Sequence, residues 1–229
     1  MTYVIGDVHG CYEQYMAMLQ EIRFSDKDIL YVIGDVIDRG ERSIDVLMDM
    51  SMRANVYPIL GNHEFMALHL LKKLPTDGSG MSDFDPEDMA AFKKWMAEGG
   101  AGTIEGYLKL SADEKESILE YLEEFAAYED VTVKGKRYVI VHADLGNFDP
   151  ERDLDDYELF ELVTGRADYT KRYFDDATLI TGHMPTFLID ERRRGFIWRG
   201  NGHICVDCGA GYGEPLGCIC LETGEEFYA

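Results

Sequence analysis

The stretch ILYVIGDVIDRG, residues 29–40, joins a short apolar run to a cluster of charged side chains. Five apolar residues end at Gly34, and Asp35, Asp38 and Arg39 follow closely. An apolar run of this length that ends at a glycine is typical of a strand buried in a parallel sheet. The stretch therefore predicts a strand whose carboxyl end carries side chains able to bind a cation or a phosphate.

Two further apolar runs, residues 3–5 and 56–60, each lead into a glycine in the same way. The polar side chains that follow these runs are Asp7, His9, Asn62, His63 and Glu64. Apolar residues at helical spacing predict helices near residues 16–22, 43–50 and 62–73, so this half consists of repeated β-α-β units. Parallel strands end at one edge of their sheet, and we therefore expect the three polar clusters to meet there.

Residues 75–128 differ from their surroundings, because loop residues and two helix starts replace the strands. Asp85-Pro86 and the pair Ser111 and Glu114 both have the spacing of helix N-termini. Later strands are predicted at 131–133, 138–142, 178–181, 196–198, 203–206 and 217–221, with a hairpin turn at 134–136. We predict an α/β fold of two mixed β-sheets packed as a sandwich flanked by helices. It forms a single domain over residues 1–229 with a helical insertion at about 75–128.

The chain is strongly acidic, since 44 acidic and 22 basic side chains give a formal net charge of -22. Such a surface repels nucleic acid and anionic membranes, so neither is expected as a partner. It also repels phosphorylated substrates, and a phosphate site must therefore supply local positive charge. The sequence shows no apolar run of membrane-spanning length and no signal-peptide pattern, so we expect a cytoplasmic protein.

Four of the five cysteines crowd the C-terminal part with the spacing C-x2-C-x9-C-x-C, at Cys205, Cys208, Cys218 and Cys220. A zinc knuckle would use thiolates at comparable spacing. The flanking residues are apolar and strand-like, however, and a strand puts Cys205 and Cys208 on opposite faces. We expect small buried residues in strands, with zinc binding and a disulfide as the alternatives.

Two histidines in the second half stand at strand ends, like the polar clusters of the first half. His142 ends the apolar run 138–141, and His183 follows the next predicted strand. Carboxylate, imidazole and amide oxygen ligands together suit manganese, iron or zinc. His69 lies within a predicted helix and His203 begins a strand, so we expect both to be structural.

The chain resembles the PPP family of metallophosphatases, in the calcineurin-like metallophosphoesterase superfamily, through GDVHG (6–10), GDVIDRG (34–40), GNHE (61–64), HAD (142–144) and GH (182–183). The resemblance extends from near residue 3 to Asp207-Cys208-Gly209. It is strongest to the small bacterial and lambda-phage branch of serine/threonine phosphatases, which is related to symmetrical dinucleoside-tetraphosphate hydrolases. Nucleases of similar fold usually end in GH-x-H. Here Pro185 stands at the second histidine position, which favours the PPP branch.

The resemblance implies two divalent metal ions, with manganese as the first choice and iron or zinc as alternatives. Metal 1 would be held by Asp7, His9 and Asp35, and metal 2 by Asp35, Asn62, His142 and His183. Asp35 would bridge the two ions. A hydroxide between them would attack phosphorus directly, so no phosphoenzyme is needed.

The resemblance also implies arginines that hold the phosphate. Arg39 would do so through its planar and permanently charged guanidinium. A second arginine is expected between the last two histidine ligands, with Arg166 as the candidate and Arg172 in reserve. The run Arg192-Arg193-Arg194 is either a contact for further phosphates of a nucleotide or a solvated turn that balances the acidic surface.

Acid catalysis is implied for the GNHE motif. His63 would protonate the leaving oxygen as general acid, and Asp38 would orient it through a hydrogen bond. Glu64 belongs to the same motif, and its chemistry suggests a structural role. Asp144 stands where many family members have glycine. It is either a hydrogen-bond partner of a nearby imidazole or an exposed loop carboxylate.

These features predict a metal-dependent phosphatase. The first hypothesis is a phosphomonoesterase acting on phosphoserine or phosphothreonine in proteins, with phosphotyrosine as a variant. The alternative is a hydrolase of dinucleoside polyphosphates of the Ap4A type, because both would use the same metals and arginines. A third, minor hypothesis is an inactive phosphate-binding module. Residues 75–128 and the C-terminal loops would form the walls that select between these substrates, and the oligomeric state stays open.

Overall fold

The computed structural model describes residues 1–74 and 84–229, and in this part of the chain the strands form two five-stranded sheets. The strands are β1 (Thr2–Ile5), β2 (Ile29–Val32), β3 (Val56–Pro58), β4 (Tyr128–Val133), β5 (Lys136–Val141), β6 (Ala177–Thr181), β7 (Trp198–Gly200), β8 (His203–Cys205), β9 (Gly217–Cys220) and β10 (Glu226–Tyr228). The α-helices are α1 (Tyr12–Glu21), α2 (Ser43–Ser51), α3 (Asn62–Leu71), α4 (Pro86–Ala97), α5 (Ala101–Leu108), α6 (Ala112–Glu123), α7 (Leu159–Thr164) and α8 (Thr186–Ile189). None of these helices is both long and apolar enough to cross a bilayer.

The first sheet has the strand order β10-β9-β1-β2-β3. β1, β2 and β3 are parallel, with Ile5 opposite Val32 and Val32 opposite Pro58, as the repeated β-α-β pattern predicts. The C-terminal strands β9 and β10 are antiparallel to their neighbours, which makes the sheet mixed. The carboxyl ends of β1, β2 and β3 therefore lie at one edge, where the three polar clusters begin.

The second sheet has the strand order β4-β5-β6-β8-β7. Its central strands β5, β6 and β8 are parallel, and the edge strands β4 and β7 are antiparallel to their neighbours. His142 directly follows β5, and His183 comes two residues after β6. This sheet therefore also presents histidines at the carboxyl ends of parallel strands.

An apolar layer joins the two sheets face to face. Its fully or largely buried members include Val4, Ile33 and Ile59 from the first sheet side and Ile140, Ile180 and Ile204 from the second. Burying one such side chain contributes roughly 1.5–3 kcal/mol, so this layer holds the sandwich together. A separate cluster packs α1, α2, α3 and α6 against the outer face of β1 and β2. The predicted sandwich flanked by helices is confirmed.

Helices α4, α5 and α6 form the predicted helical insertion. Asp85 caps α4 by accepting the backbone N–H groups of Glu87 and Asp88, and Ser111 caps α6 by accepting that of Glu114. Both predicted helix starts are thus confirmed, whereas residues 75–83 of the predicted loop lie outside the described residues. α4 packs on α3, α5 packs on α2, and α6 contacts both α2 and α3. That residues 1–229 form one domain remains a prediction.

Some predicted strand bounds were wrong. β7 lies at Trp198–Gly200 rather than 196–198, because the turn at Asn201-Gly202 sets its register against β8. Both turn residues have positive φ, 48° and 77°, as a tight two-residue hairpin requires. The predicted hairpin at Lys134-Gly135 uses the same turn conformation and is confirmed. β10 and α7 were not predicted, since each is too short for its apolar pattern to stand out.

Three of the four C-terminal cysteines lie in buried strands, and the fourth, Cys208, is buried in the loop after β8. Cys205 belongs to β8, and Cys218 and Cys220 belong to β9. All five cysteines are free thiols, so the disulfide alternative is wrong. Among the described residues, the side-chain groups that could hold a metal ion contain no cysteine. The structure therefore favours the buried-strand interpretation over a zinc knuckle.

Candidate active site

The loops after β1 and β2 are joined by backbone hydrogen bonds. The N–H groups of Val8 and His9 donate to the carbonyl oxygen of Asp35 at 3.1 and 2.8 Å. The N–H of Gly10 donates to the carbonyl oxygen of Val36 at 2.7 Å. The first two polar clusters are therefore held side by side by the backbone itself.

The second sheet contributes two histidines from the other side of the sandwich. His142 is completely buried, and its carbonyl oxygen accepts the N–H of Gly182 at 2.8 Å. The backbone N–H of His183 donates to the carboxylate of Asp7 at 3.0 Å. The structure thus brings all six predicted metal ligands to the region where the carboxyl ends of the two sheets meet.

Two glycines permit this close approach. A Cβ atom at Gly61 would lie 2.3 Å from the backbone nitrogen of Asp35, and one at Gly182 would lie 2.1 Å from Oδ1 of Asp7. Any larger residue would push the loops apart, because both distances are far below van der Waals contact. The glycines that end the predicted strands are therefore required by packing at the site.

Several candidate residues have strained backbone conformations. Positive φ angles occur at His9 (48°), Asp35 (45°), Asp38 (72°), Arg39 (64°) and His183 (62°). Non-glycine residues rarely adopt this region, and each such residue costs about 1–3 kcal/mol. Strain of this kind is retained only where the surroundings determine it, and it clusters here at the residues proposed for chemistry.

Glu64 binds the backbone of the strained loop after β2 through its side-chain carboxylate. Its Oε2 accepts the N–H groups of Asp35 and Gly61 at 2.8 and 3.1 Å, and its Oε1 accepts those of Val36 and Ile37 at 2.8 and 3.1 Å. Four backbone donors on one buried carboxylate leave it no capacity to bind a ligand. The position of Glu64 agrees with the structural role expected for it.

One group of possible metal ligands surrounds His142. Its Nδ1 donates to the carbonyl oxygen of Ile33 at 2.7 Å, so Nε2 carries the lone pair. This Nε2 lies 3.1 Å from Oδ1 of Asn62, 3.2 Å from Nδ1 of His183 and 3.4 Å from Oδ1 of Asp35. Burial lowers the pKa of His142, and it lowers that of His183 to about 4. Neutral imidazoles facing a carboxylate and an amide oxygen are the donor set that a divalent cation requires.

The second group consists of His9, Asp35 and His63. Nδ1 of His9 donates to the carbonyl oxygen of Ile37 at 2.9 Å, which leaves the Nε2 lone pair 3.8 Å from Oδ2 of Asp35. Oδ1 and Oδ2 of Asp35 thus face different groups, as a bridging ligand would. The prediction placed Asp7 rather than His63 beside His9. Within the described residues, Asp7 belongs to neither group, and its carboxylate instead accepts the backbone of His183.

Arg39 covers the ligand nitrogen of His9. Its Nη1 donates to Nε2 of His9 at 2.7 Å, its Nη2 lies 3.4 Å from Nε2 of His63, and its guanidinium lies 4.6 Å from the centre of the Tyr212 ring. A cation and a guanidinium cannot share one imidazole lone pair. An ion held by His9 would therefore displace Arg39 from this nitrogen and leave its guanidinium available for a phosphate.

Three buried carboxylates concentrate negative charge at the site. Burial and the nearby charges of Asp207 and Asp35 raise the pKa of Asp7 well above its usual range. Burial also raises the pKa of Asp207 to about 7. At Asp35 burial again raises the pKa, but His142, His63 and His9 together lower it more strongly. Divalent cations would relieve this repulsion, so the residues present fit the metals that the fold implies.

His63 and Asp38 form a buried ion pair. Nδ1 of His63 lies 2.6 Å from Oδ2 of Asp38, while its Nε2 is directed to the side of Asp35 and Arg39. Burial lowers the pKa of His63, but the carboxylates of Asp35 and Asp38 outweigh it and raise the pKa to about 9. The raised pKa favours the protonated imidazole, which is the form able to donate a proton.

A cavity of about 230 Å³ opens onto these groups. Its walls include Asp35, Arg39, Asn62, Glu98, Arg166, His183, Leu188 and Tyr212. Arg166 also lines a second, larger polar cavity of about 460 Å³, together with Asp144, Asn147, Phe148, Asp168, Lys171, Arg172 and Tyr173. A separate apolar cavity of about 760 Å³ between α3, α4 and α6 is lined by none of the candidate residues.

The two arginine candidates lie in different places. Arg166 faces the cavity that contains Asp35 and His183, and its charge contributes to the lowered pKa of His183. Arg172 lines the second cavity but not the one that contains Asp35, and its guanidinium donates to the carbonyl oxygens of Phe174 and Asp175. The structure therefore favours Arg166 over its reserve.

The structure also distinguishes between the alternative interpretations of Asp144 and of the arginine run 192–194. Asp144 is 3% exposed, so the exposed-carboxylate interpretation is wrong, and its Oδ1 has no hydrogen-bond partner among the described residues. Arg192 pairs with Asp190. Arg194 pairs with Glu191 and Glu214, as a solvated turn would. The two histidines expected to be structural lie elsewhere: His69 contacts Asp88 and His203 contacts the carbonyl oxygen of Lys171.

Sequence reasoning missed several residues of the site. Trp95 and Thr103, in α4 and α5, both contact Asp38, while Asp207 lies beside Asp7 and Tyr212 beside Arg39. The signals were present in the chain, because Trp95 is one of two tryptophans and precedes a Gly-Gly pair, and Tyr212 is flanked by glycines. These sequence features do not indicate which residues lie close together in space, so they could not be assigned to the same site as the motifs.

Comparison with known proteins gives a consistent family assignment. The model of the Calcineurin-like phosphoesterase family matches residues 2–212. Symmetrical bis(5'-nucleosyl)-tetraphosphatase from Salmonella typhimurium is 44% identical over 89 residues, which are 38% of this chain and 29% of that protein. The match to this relative thus spans less than a third of its length.

Solved structures show the same fold. A candidate diadenosine tetraphosphatase has a TM-score of 0.69 and 20% identity, covering 100% of this chain and 92% of that chain. A protein serine/threonine phosphatase from Saccharomyces cerevisiae has a TM-score of 0.58 and 15% identity, covering 100% of this chain and 79% of that chain. At such identities the likeness concerns the fold alone.

Proposed function

Because the chain belongs to the calcineurin-like phosphoesterase family, whose members are metal-dependent phosphoester hydrolases, we propose that it hydrolyses dinucleoside polyphosphates. The sequence alone ranked a phosphoprotein substrate first and a dinucleotide second. The comparisons support the reverse order, since symmetrical tetraphosphatases are among the curated relatives that match, at 44% identity over 89 residues. Their match is partial, and the substrate is therefore a proposal for this chain.

Two divalent cations, most simply manganese, would lower the pKa of a water between them and draw electron density from the phosphoryl oxygens. Asp7, His9 and Asp35 would hold one ion, and Asp35, Asn62, His142 and His183 the other. The hydrogen bonds from His9 to Ile37 and from His142 to Ile33 support these assignments, because they use Nδ1 of each ring and leave the lone pair of Nε2 directed into the site.

The cationic and acidic side chains act on the substrate. Arg39 and Arg166 line the same cavity from two sides and would hold the oxygens of the phosphoryl group through charged hydrogen bonds. His63 would donate its proton to the leaving oxygen, and Asp38 would keep the imidazole charged and directed towards that oxygen. The chain's own residues thereby supply the local positive charge that an acidic protein needs for a phosphate site.

The observation that carries the dinucleotide proposal is the position of Arg166 between two polar cavities. The catalytic cavity of about 230 Å³ suits a phosphoryl group, and the adjoining cavity of about 460 Å³ is bordered by Lys171 and Arg172. The second cavity would accept the part of a polyphosphate and nucleoside that extends beyond the cleaved bond. A phosphoserine peptide could place only its neighbouring residues there, without a further phosphate to contact Arg166.

The test compares diadenosine tetraphosphate with a phosphoserine peptide on the manganese-loaded protein. We expect a much larger kcat/KM for the dinucleotide and two ADP molecules as products, as symmetrical cleavage requires. A larger kcat/KM for the peptide would overturn the proposal and return the phosphoprotein hypothesis to first place. Formation of AMP and ATP would keep a dinucleotide substrate but contradict symmetrical cleavage.

A matched pair of lysine variants tests the second cavity. Lys171→Ala removes a cation from its wall, whereas Lys109→Ala removes a similarly exposed lysine that directly follows α5. Both lysines form exposed ion pairs, with Asp168 and Glu105 respectively. We expect only Lys171→Ala to raise KM for diadenosine tetraphosphate, with p-nitrophenyl phosphate unaffected by either change. Equal KM values in both variants would show that the second cavity does not bind the substrate.

A further inference from the structure

We propose that Trp95 and Thr103, in the helical insertion, are positioning residues that lock the carboxylate of Asp38 and thereby direct His63 at the leaving group. This inference rests on the proposed roles of Asp38 and His63 in proton donation, but it does not depend on which phosphate ester is the natural substrate. The insertion would then support the catalytic step in addition to forming a pocket wall.

The carboxylate of Asp38 is completely buried and receives three side-chain donors. Oδ2 accepts Nδ1 of His63 at 2.6 Å and Nε1 of Trp95 at 2.8 Å. Oδ1 accepts the hydroxyl of Thr103 at 2.6 Å. A carboxylate held at both oxygens cannot rotate about its Cβ–Cγ bond without breaking a charged hydrogen bond. The direction in which it holds the imidazole is therefore fixed by two residues of the insertion.

The insertion also holds the backbone of the same loop. The N–H of Asp38 donates to the hydroxyls of Thr103 and Ser43, each at 3.0 Å, and the N–H of Arg39 donates to the carbonyl oxygen of Gly99 at 2.9 Å. Asp38 and Arg39 are consecutive non-glycine residues with φ of 72° and 64°. This strained pair would relax if its partners were lost, so the insertion keeps both side chains at the site.

The Gly99-Gly100 pair lets the insertion come this close. A Cβ atom at Gly100 would lie 2.7 Å from the indole ring of Trp95, and one at Gly99 would lie 2.8 Å from the backbone nitrogen of Arg39. The φ of Gly99 is 107°, a conformation that side chains other than glycine rarely adopt. The turn between α4 and α5 is thus built around the contact with the Asp38-Arg39 loop.

Packing alone would not require these particular donors. Trp95 is completely buried, and a phenylalanine there would fill most of the same space without the indole N–H. Thr103 is buried to the same degree, and valine has nearly its shape without the hydroxyl. Variants that keep shape and remove one hydrogen bond therefore separate positioning from packing.

The kinetic test uses Thr103→Val and Thr103→Ser with phenyl phosphate and p-nitrophenyl phosphate. Phenol is the poorer leaving group, so its departure depends more on proton donation. We expect Thr103→Val to lower kcat/KM by about 10- to 100-fold for phenyl phosphate and far less for p-nitrophenyl phosphate. Thr103→Ser, which keeps the hydroxyl, should restore most of the loss. Equal losses on both substrates, or no rescue by serine, would overturn the proposal.

A spectroscopic test needs no substrate and no metal. The chain has two tryptophans, and Trp198 lies in β7, where it packs against Tyr169, so each indole N–H gives its own signal in a ¹H–¹⁵N spectrum. Trp198→Phe assigns the signals, and Asp38→Asn should shift that of Trp95 while leaving that of Trp198 in place. An unchanged Trp95 signal would show that the indole does not bind the Asp38 carboxylate.

Trp95→Phe provides a second kinetic variant, with Trp198→Phe as its matched control. We expect the leaving-group selective loss only in Trp95→Phe. These aryl phosphates require only phosphoesterase activity, so failure of the dinucleotide proposal would leave this test intact. Conversely, a normal leaving-group dependence in both Trp95→Phe and Thr103→Val would reject the positioning role even if diadenosine tetraphosphate proved to be the substrate.

Discussion

The loops that follow β1, β2 and β3 differ sharply from helices α4, α5 and α6 in how they serve the site. The loops carry metal-ligand and proton-donor side chains at strand ends, in motifs that can be read from the chain. The helices contribute no residue to either group of possible metal ligands among the described residues. Yet Trp95 and Thr103 from these helices hold Asp38, which pairs with His63.

One site can therefore combine residues whose type is restricted by their chemistry with residues whose type is much less restricted. Ligands must present particular atoms, so their residue types are restricted and their motifs are recognisable. Supporting residues need only one donor at the right point, and many local sequences can supply it. Substitution of a ligand should therefore cost more activity than substitution of a residue that supports it.

Removing the bridging carboxylate should have the largest effect. Asp35 lies between both groups of possible ligands, at 3.4 Å from His142 and 3.8 Å from His9. Changing a residue outside a metal's own ligands costs about 10- to 100-fold, so Asp35→Asn should lower kcat/KM by more than about 100-fold. Metal content, measured by elemental analysis, should fall as well. Asp45→Asn, at a partly exposed position on α2, is the control and should keep full activity. Retained activity in Asp35→Asn would contradict the chemical role assigned to the loops.

Loss of the proton donor should come next. His63→Asn removes an imidazole whose pKa its two carboxylate neighbours, Asp35 and Asp38, raise. General acids contribute about 10²- to 10⁴-fold, so hydrolysis of an alkyl phosphate such as a phosphoserine peptide should fall by about that factor. Hydrolysis of p-nitrophenyl phosphate should fall much less, because its leaving group is stable without a proton. Equal losses on both substrates would count against His63 as the acid.

A smaller effect is expected at Glu64, which supports the loops by accepting hydrogen bonds from their backbone. Glu64→Gln would replace one carboxylate oxygen with an amide N–H₂ group. That group would face either the backbone N–H groups of Asp35 and Gly61 or those of Val36 and Ile37. An unsatisfied buried group costs about 1–3 kcal/mol, and the free energy of unfolding in urea should drop by that amount. Glu116→Gln, at an exposed position on α6, should leave it unchanged. A fully stable Glu64→Gln protein would mean that the strained loops do not need this support.

The smallest effect is expected outside both regions. Arg192 lies in an exposed turn and pairs with Asp190, and exposed pairs of this kind contribute little. Arg192→Ala should therefore leave KM for diadenosine tetraphosphate and the melting temperature unchanged. A clear rise in KM for the dinucleotide, with hydrolysis of p-nitrophenyl phosphate unaffected, would assign the arginine run to substrate binding. The site would then extend beyond the strand-end loops and the helical insertion.

The sandwich and the convergence of the motifs could be predicted because they depend on local patterns. Apolar runs such as residues 29–33 identify buried strands, and β-α-β repetition makes those strands parallel. The bounds of β7 could not be predicted from its apolar residues, because the turn at Asn201-Gly202 sets the register. That His63 lies beside His9 and Asp35 likewise depends on the direction of side chains in the strained loops, which tertiary contacts set.

By itself, the sequence determined the fold class, the edge of the sheets at which the polar clusters meet, and the identity of the chemical groups gathered there. These follow from periodicity and from residue types that few other side chains can replace. Only the tertiary structure decided that Arg166 rather than Arg172 faces the site, and that Trp95 and Thr103 bind Asp38 across 57 and 65 residues of chain. Such contacts depend on how helices dock on a finished sheet, and docking is decided by the packing of whole surfaces rather than by any local pattern.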